Sequence, residues 1–400
     1  MNKKGISKKD DLLKKIYFYK EISSEAIDVL NGSFYIEKVK KELLNEGLIK
    51  KSSLKNTKKT ALKAGATYKI QSYYVTSKGK KYLHEKFPDE FSEKILTTRK
   101  QSNDATERLV KIADSAIMSE IAGAYIVNKE NLMEEDFIGK QKREPQYDDF
   151  GDIITPEIGK LLVDEDEFFT EENSEADDEQ LKQIIEENLS RGIFLNANEA
   201  KKNLTLTKKE TTQYKFTSIT GVLLTSAKPY CLYHAGNGFI SQTAGGENKI
   251  AKTLIYNYTR NFNLYPEEFL KAKISNAIFF CKNISAFAKL VLNKYNAKVK
   301  PGEIFDNSYI IPVSRNGCNI IKRFIEKPDY KERLLDYLIS EYGFIKNQGY
   351  AGKAGYAVNA LPVVTPNGEA VFIGIDFEVN SFRTAIEVAT EESETQKIVV

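Results

Sequence analysis

Tyr35, Lys38, Lys41, Glu42 and Asn45 recur three and four residues apart, interleaved with the apolar Ile36, Val39, Leu43 and Leu44. That spacing places the polar set on the outward face of one amphipathic helix. Phenol, ammonium and amide groups arranged in this way can reach base edges and phosphates in a major groove. Directly downstream, Lys50, Lys51, Lys55, Lys58, Lys59, Lys63 and Lys69 crowd a stretch rich in Lys, Thr, Ser and Gly. Lysines there would neutralise phosphates without selecting sequence, and counterion release would make affinity depend steeply on salt. The chemistry expected of this region is binding to a polyanionic duplex, not the making or breaking of bonds.

Other constellations are weaker. Asp376 and Glu378 alternate within a stretch expected to be a strand, Ala370 to Val379, so both carboxylates should point to one face as in a metal-dependent nuclease. A restriction-nuclease pattern needs lysine two positions after the acid, and Asn380 stands there. Gly236 with Gly238, and Gly245-Gly246 before Lys249, lack the Gly-Lys-Ser/Thr of a phosphate loop and read as turn glycines. His84 and His234 have no plausible nucleophile nearby in sequence and read as structural or surface residues. Cys231, Cys281 and Cys318 lie far apart with no CxxC pair, so neither a zinc site nor a disulfide framework is expected. No catalytic residue, metal or cofactor is assigned.

The elements that must position the lysines follow from pattern. Leu12, Leu13, Ile16 and Tyr17 give a first helix, and Ser23 caps a second carrying Ala26, Ile27 and Leu30. Asn31-Gly32-Ser33 forms a short turn before the lysine-bearing third helix, which Gly47 stops. Leu48-Ile49 begins a strand, and Tyr68, Ile70, Tyr73 and Val75 return from the lysine-rich loop, giving a wing-shaped hairpin. Thr76 then caps a closing helix containing Tyr82 and Leu83. Helix, turn, helix and basic hairpin in this order predict a winged helix-turn-helix over residues 1–90.

Residues 91–131 read as a connecting helix, through Leu109, Ile112, Ala116 and Ile117, followed by a strand at Ala124 to Val127. Residues 132–190 form an acidic insertion or linker. From Arg191 onward, apolar runs bounded by turns (Gly221 to Leu224, Tyr230 to Tyr233, Ala277 to Phe280, Tyr309 to Val313) alternate with helical segments near Lys249 to Asn261, Ser285 to Tyr295, Gly317 to Ile325 and Tyr330 to Glu341. Late strands are expected at Ala360 to Val364 and Ala370 to Val379. The fold class expected is α/β: an N-terminal winged helix-turn-helix followed by a mixed-sheet α/β domain over residues 191–400.

A chain of 400 residues with 41% hydrophobic content can bury a substantial core. Its net charge of +3 conceals a strong asymmetry. The first hundred residues carry about +12, whereas residues 132–190 carry about −15, as expected when one module faces nucleic acid. No apolar run approaches the roughly 20 residues of a membrane span, so a cytoplasmic protein is expected, without membrane contact.

Glu46-Gly47-Leu48-Ile49 and Tyr74-Val75-Thr76-Ser77-Lys78-Gly79, with the strand patterns Ile219 to Asn237 and Ser308 to Arg315, resemble plasmid replication-relaxation-like proteins of low-GC bacterial mobile elements. The excess of lysine over arginine suits an AT-rich genome. The resemblance implies a DNA-binding winged helix joined to an α/β domain, on a plasmid, conjugative element or phage. The function expected is binding of double-stranded DNA in replication, transfer or transcription control. The second domain would mediate homodimerisation or contact with that machinery. A metal-dependent DNA-processing enzyme and an interaction scaffold are the alternatives.

Overall fold

A computed structural model of the chain describes residues 7–31, 35–55, 69–91, 103–126, 189–197, 200, 219–236, 276–282, 305–346, 363–367, 370–371, 374–379 and 381–382. The first four helices and three strands are α1 (Lys8–Phe18), β1 (Glu21–Ser23), α2 (Ser24–Asn31), α3 (Tyr35–Asn45), β2 (Ile49–Lys55), β3 (Lys69–Val75) and α4 (Ser77–Lys86). Local chemistry explains their ends. Ser7 caps α1, its hydroxyl accepting from Asp10 N at 3.2 Å, and Lys20 turns the chain into β1 with a φ of 58°. Ser23 Oγ accepts from Ala26 N at 3.0 Å and caps α2. Gly47 closes α3 at a φ of 70°, where any other residue would be strained. Thr76 Oγ1 accepts from Gly79 N at 3.1 Å to begin α4.

The three strands form an antiparallel sheet in the order β1-β3-β2. Its register runs from Ile49 opposite Val75 to Lys55 opposite Lys69, with Glu21 opposite Tyr74. Strand β1 was not legible as a strand in the sequence, because three residues leave no alternation to detect. Leu12, Leu13, Ile16, Ile27, Leu43, Leu48 and Leu83 are buried between sheet and helices. Asp10, buried on α1, ties α4 down by accepting from Tyr82 Oη at 2.9 Å and Lys86 Nζ at 2.7 Å.

Helix α5 (Asn103–Ile121) follows, then β4 (Tyr125–Ile126), β5 (Ile193–Asn196), β6 (Ile219–Leu224), β7 (Pro229–Gly236), β8 (Asn276–Cys281) and β9 (Asn307–Pro312). The six strands form one mixed sheet in chain order. Strands β4 and β5 are parallel, β5 to β7 antiparallel, and β7 to β9 parallel. Every residue of β5, β6 and β8 is buried, which accounts for their unbroken apolar texture.

Helix α5 is wrapped on all sides. Residues Ile112 to Ser119 are all buried, with β1 and α2 against one side and β5, β6 and β7 against the other. The hydroxyls of that run are engaged: Ser119 Oγ donates to Ser115 O at 2.9 Å, and Ser115 Oγ lies 2.7 Å from Thr220 Oγ1. The connecting helix of the sequence is thus a central helix.

Helix α6 (Arg315–Glu326) leaves β9 through Ser314, which caps it at Gly317 N, 3.1 Å away. A Cβ at Gly317 would overlap the Pro312 carbonyl oxygen, so glycine permits this close return. Helix α7 (Tyr330–Tyr342) precedes a small antiparallel sheet of β10 (Ile345–Lys346), β11 (Val363–Val364) and β12 (Ala370–Val371).

The expected strand from Ala370 to Val379 needs correction. Among the described residues of this stretch, the strand is Ala370–Val371, and the chain turns at 375–376, with Phe377 at a φ of 56°. This turn lies along β9, where Ile310 N donates to Phe377 O at 3.2 Å and Glu378 bridges Tyr309. The expected helices near 249–261 and 285–295, the lysine loop 56–68 and residues 132–188 of the acidic insertion lie outside the described residues. Among the described residues, no helix is long and apolar enough to cross a membrane.

Candidate nucleic-acid interface

The backbone of α3 sorts its side chains by turn. Ile36, Val39 and Leu43 are buried, while Lys38, Lys41 and Asn45 are exposed on one face. Helix α3 packs against α1, α2 and β2, and this exposed face looks away from that packing. Lys50 and Lys51 are exposed at the start of β2, just after the α3 stop. Lys55 and Lys69 are backbone partners at the far end of the β2–β3 ladder. Tyr35 is the first residue of α3. Lys58, Lys59 and Lys63 lie outside the described residues.

Not every lysine of α3 faces outward. Lys40 is buried, paired with Glu37 and 5.5 Å from the centre of the Tyr73 ring. Its stem and charge are used in holding α3 to the sheet. Beyond the end of α3, Lys9 Nζ lies 2.8 Å from the Glu46 carboxylate, and Lys78 Nζ donates to the Glu46 carbonyl at 2.8 Å. These two cations compensate the negative end of the helix dipole and the Glu46 charge. Neither was marked by sequence, because they come from α1 and α4. Acidic Glu37 and Glu42 dilute the positive face without covering it.

Asp376 and Glu378 are brought together, but as acceptors within the fold. Asp376 Oδ2 accepts from Tyr330 Oη and, at 2.7 Å, from Lys331 Nζ, while Oδ1 accepts from Glu378 N at 3.3 Å. Glu378 Oε1 accepts from Ser308 N at 3.3 Å and Oε2 from Ser381 N at 2.6 Å. All four carboxylate oxygens therefore already hold a donor. Burial, then the Asp376 charge, pushes the Tyr330 hydroxyl far up from its ordinary value, keeping it a donor. Burial, aided by neighbouring Lys331, pushes the Lys228 ammonium down. The lysine missing from the sequence motif is supplied from α7, yet its role is to neutralise a buried acid.

His84 Nδ1 lies 2.7 Å from Phe91 O. His234 Nε2 lies 3.2 Å from Asp114 Oδ2, a pairing across 120 residues that no sequence spacing could have announced. The three cysteines are buried and form no disulfide. Among the described residues, no three His, Cys, Asp or Glu side chains converge to hold a metal ion. Comparison of the chain with protein-family models, curated proteins and solved structures gives no match.

Proposed function

We propose that the chain is a double-stranded-DNA-binding protein in which residues 8–86 act as a winged helix-turn-helix. The observation that carries this reading is the exposed face of Lys38, Lys41 and Asn45 on α3, with Lys50 and Lys51 also exposed at the start of β2. Helix α3 is the recognition helix and the hairpin is the wing. Lysine contacts to phosphate position the module, and Tyr35 and Asn45 contribute to base readout. In this reading the protein serves replication, transfer or transcription control of a plasmid, conjugative element or phage, in the cytoplasm. The α/β region then supports a homodimer or contacts the accompanying machinery.

The test is fluorescence anisotropy of a labelled duplex titrated with the full chain at several salt concentrations. Binding whose logarithm falls linearly with the logarithm of salt, and which weakens on Lys38→Ala and Lys41→Ala, supports the reading. Affinity indifferent to salt and to both substitutions would overturn it. The filled oxygens of Asp376 and Glu378 give no observation favouring a nuclease.

A further inference from the structure

The start of α2 is held from outside its own module. While the Ser23 side chain caps the helix, the Ser23 N–H donates to Asp114 Oδ1 at 3.2 Å. Asp114 is buried on α5, and its second oxygen meets His234 Nε2 at 3.2 Å. A carboxylate only accepts, so the imidazole is the donor. Two residues past Ser23, Glu25 pairs with Lys282 Nζ at 2.7 Å.

His234 lies near the carboxyl end of β7, and Lys282 follows β8 directly. These neighbouring strands are parallel. Open α/β sheets present their binding crevices beyond the carboxyl ends of parallel strands. Here the start of α2 reaches those ends and is tied to both. A buried carboxylate costs free energy unless its acceptors are used, and both Asp114 oxygens are used.

We infer that the six-stranded sheet sets the DNA affinity of the α2–α3 pair through a three-point polar clamp: Asp114 on Ser23, His234 on Asp114 and Lys282 on Glu25. The inference rests on the DNA-binding reading above. Helix α2 packs against α3, so a loosened α2 leaves α3 less preorganised, and the ordering must then accompany binding. Glu25 and Lys282 are positioning residues and lie apart from the lysine face of α3.

The test uses the full chain with Glu25→Lys, Lys282→Glu and the double reversal, each side chain being partly exposed and tolerant of change. If charge acted only by attracting a polyanion, Glu25→Lys would strengthen duplex binding and Lys282→Glu would weaken it. The clamp requires both single variants to weaken binding, by about threefold, and the double variant to recover it. Amide hydrogen exchange over residues 26–30, measured without DNA, should be faster in each single variant and restored in the double. Opposite shifts in affinity would overturn the regulatory inference. Unchanged exchange in both single variants would overturn the clamp itself. Failure of the unaltered chain to bind any duplex would instead overturn the DNA-binding reading, whatever the exchange data show.

Discussion

Gly79 of α4 lies against the carbonyl oxygen of Leu48, so close that a Cβ at position 79 would overlap that oxygen and crowd the Val75 side chain. This close approach locks the closing helix onto the base of the β2–β3 hairpin, where Thr76 N also donates to Leu48 O at 2.9 Å. Gly79→Ala should therefore destabilise the N-terminal region by about 2 kcal/mol. Urea unfolding followed by circular dichroism would show it. An unchanged midpoint would mean that α4 can move away freely.

Replacing Lys41 and Lys50 with alanine should weaken binding to all duplexes alike and reduce the salt slope by about one for each phosphate left unneutralised. The same holds for neutralising Lys55, Lys58 and Lys59 together. Anisotropy at three or more salt concentrations measures this. A slope identical to that of the unaltered chain would remove these lysines from the interface.

Glu21 supplies a prediction whose sign depends on pH. Burial pushes its carboxyl above the ordinary 4.5, only partly opposed by hydrogen bonds from the Ser72 and Ser52 hydroxyls. A folded value above the unfolded one means that the contribution of Glu21 is intact below pH 4.5 and is lost as pH rises through the folded value. Glu21→Gln, which keeps an acceptor for Ser72, should thus raise Tm at pH 7 by about 2 °C. The gain should vanish below the ordinary carboxyl range. Equal gains at pH 4 and pH 7 would contradict the burial argument.

Cys318 should be inert in the folded protein. Burial pushes its thiol up to about 12, and its Sγ lies 3.5 Å from Met118 Sδ. Thiolate is the reactive form. With Cys231 and Cys281 also buried, an aromatic disulfide reagent at pH 8 should label the chain only after denaturant is added. Rapid native labelling would place a cysteine at an accessible site.

Asp376→Ala should cost about 3 kcal/mol, because it strands the Lys331 ammonium and the Tyr330 hydroxyl. Duplex affinity should be unchanged, and magnesium should promote no more cleavage by the unaltered chain than by the variant. A variant that stays fully stable but no longer cleaves where the unaltered chain does would restore the nuclease alternative.

Much of the fold was legible because it is local. Ser23, Gly47 and Thr76 announced helix ends through their own chemistry, and the apolar runs at 221–224, 230–233 and 277–280 announced buried strands. The lysine face of α3 was legible for the same reason, since three- and four-residue spacing maps directly onto one side of a helix. Asp376 and Glu378 misled because alternation mimics a strand, whereas their oxygens tie a turn to β9 through Ser308 and to α7 through Tyr330 and Lys331. The Asp114–His234 pair was invisible, as it depends on α5 being brought between two layers that the sequence presents far apart.

That sandwiched position of α5 also shapes the order in which a newly made chain can settle. At ordinary synthesis rates, β5 to β7 emerge about 10 s after α5 has left the ribosome, and α6 comes later still. Throughout that interval, α5 has β1 and α2 as partners but not the strands β5 to β7. A product halted before residue 193 would carry an apolar helix surface without the strands β5 to β7 that pack on it, the kind of surface that recruits chaperones or aggregates.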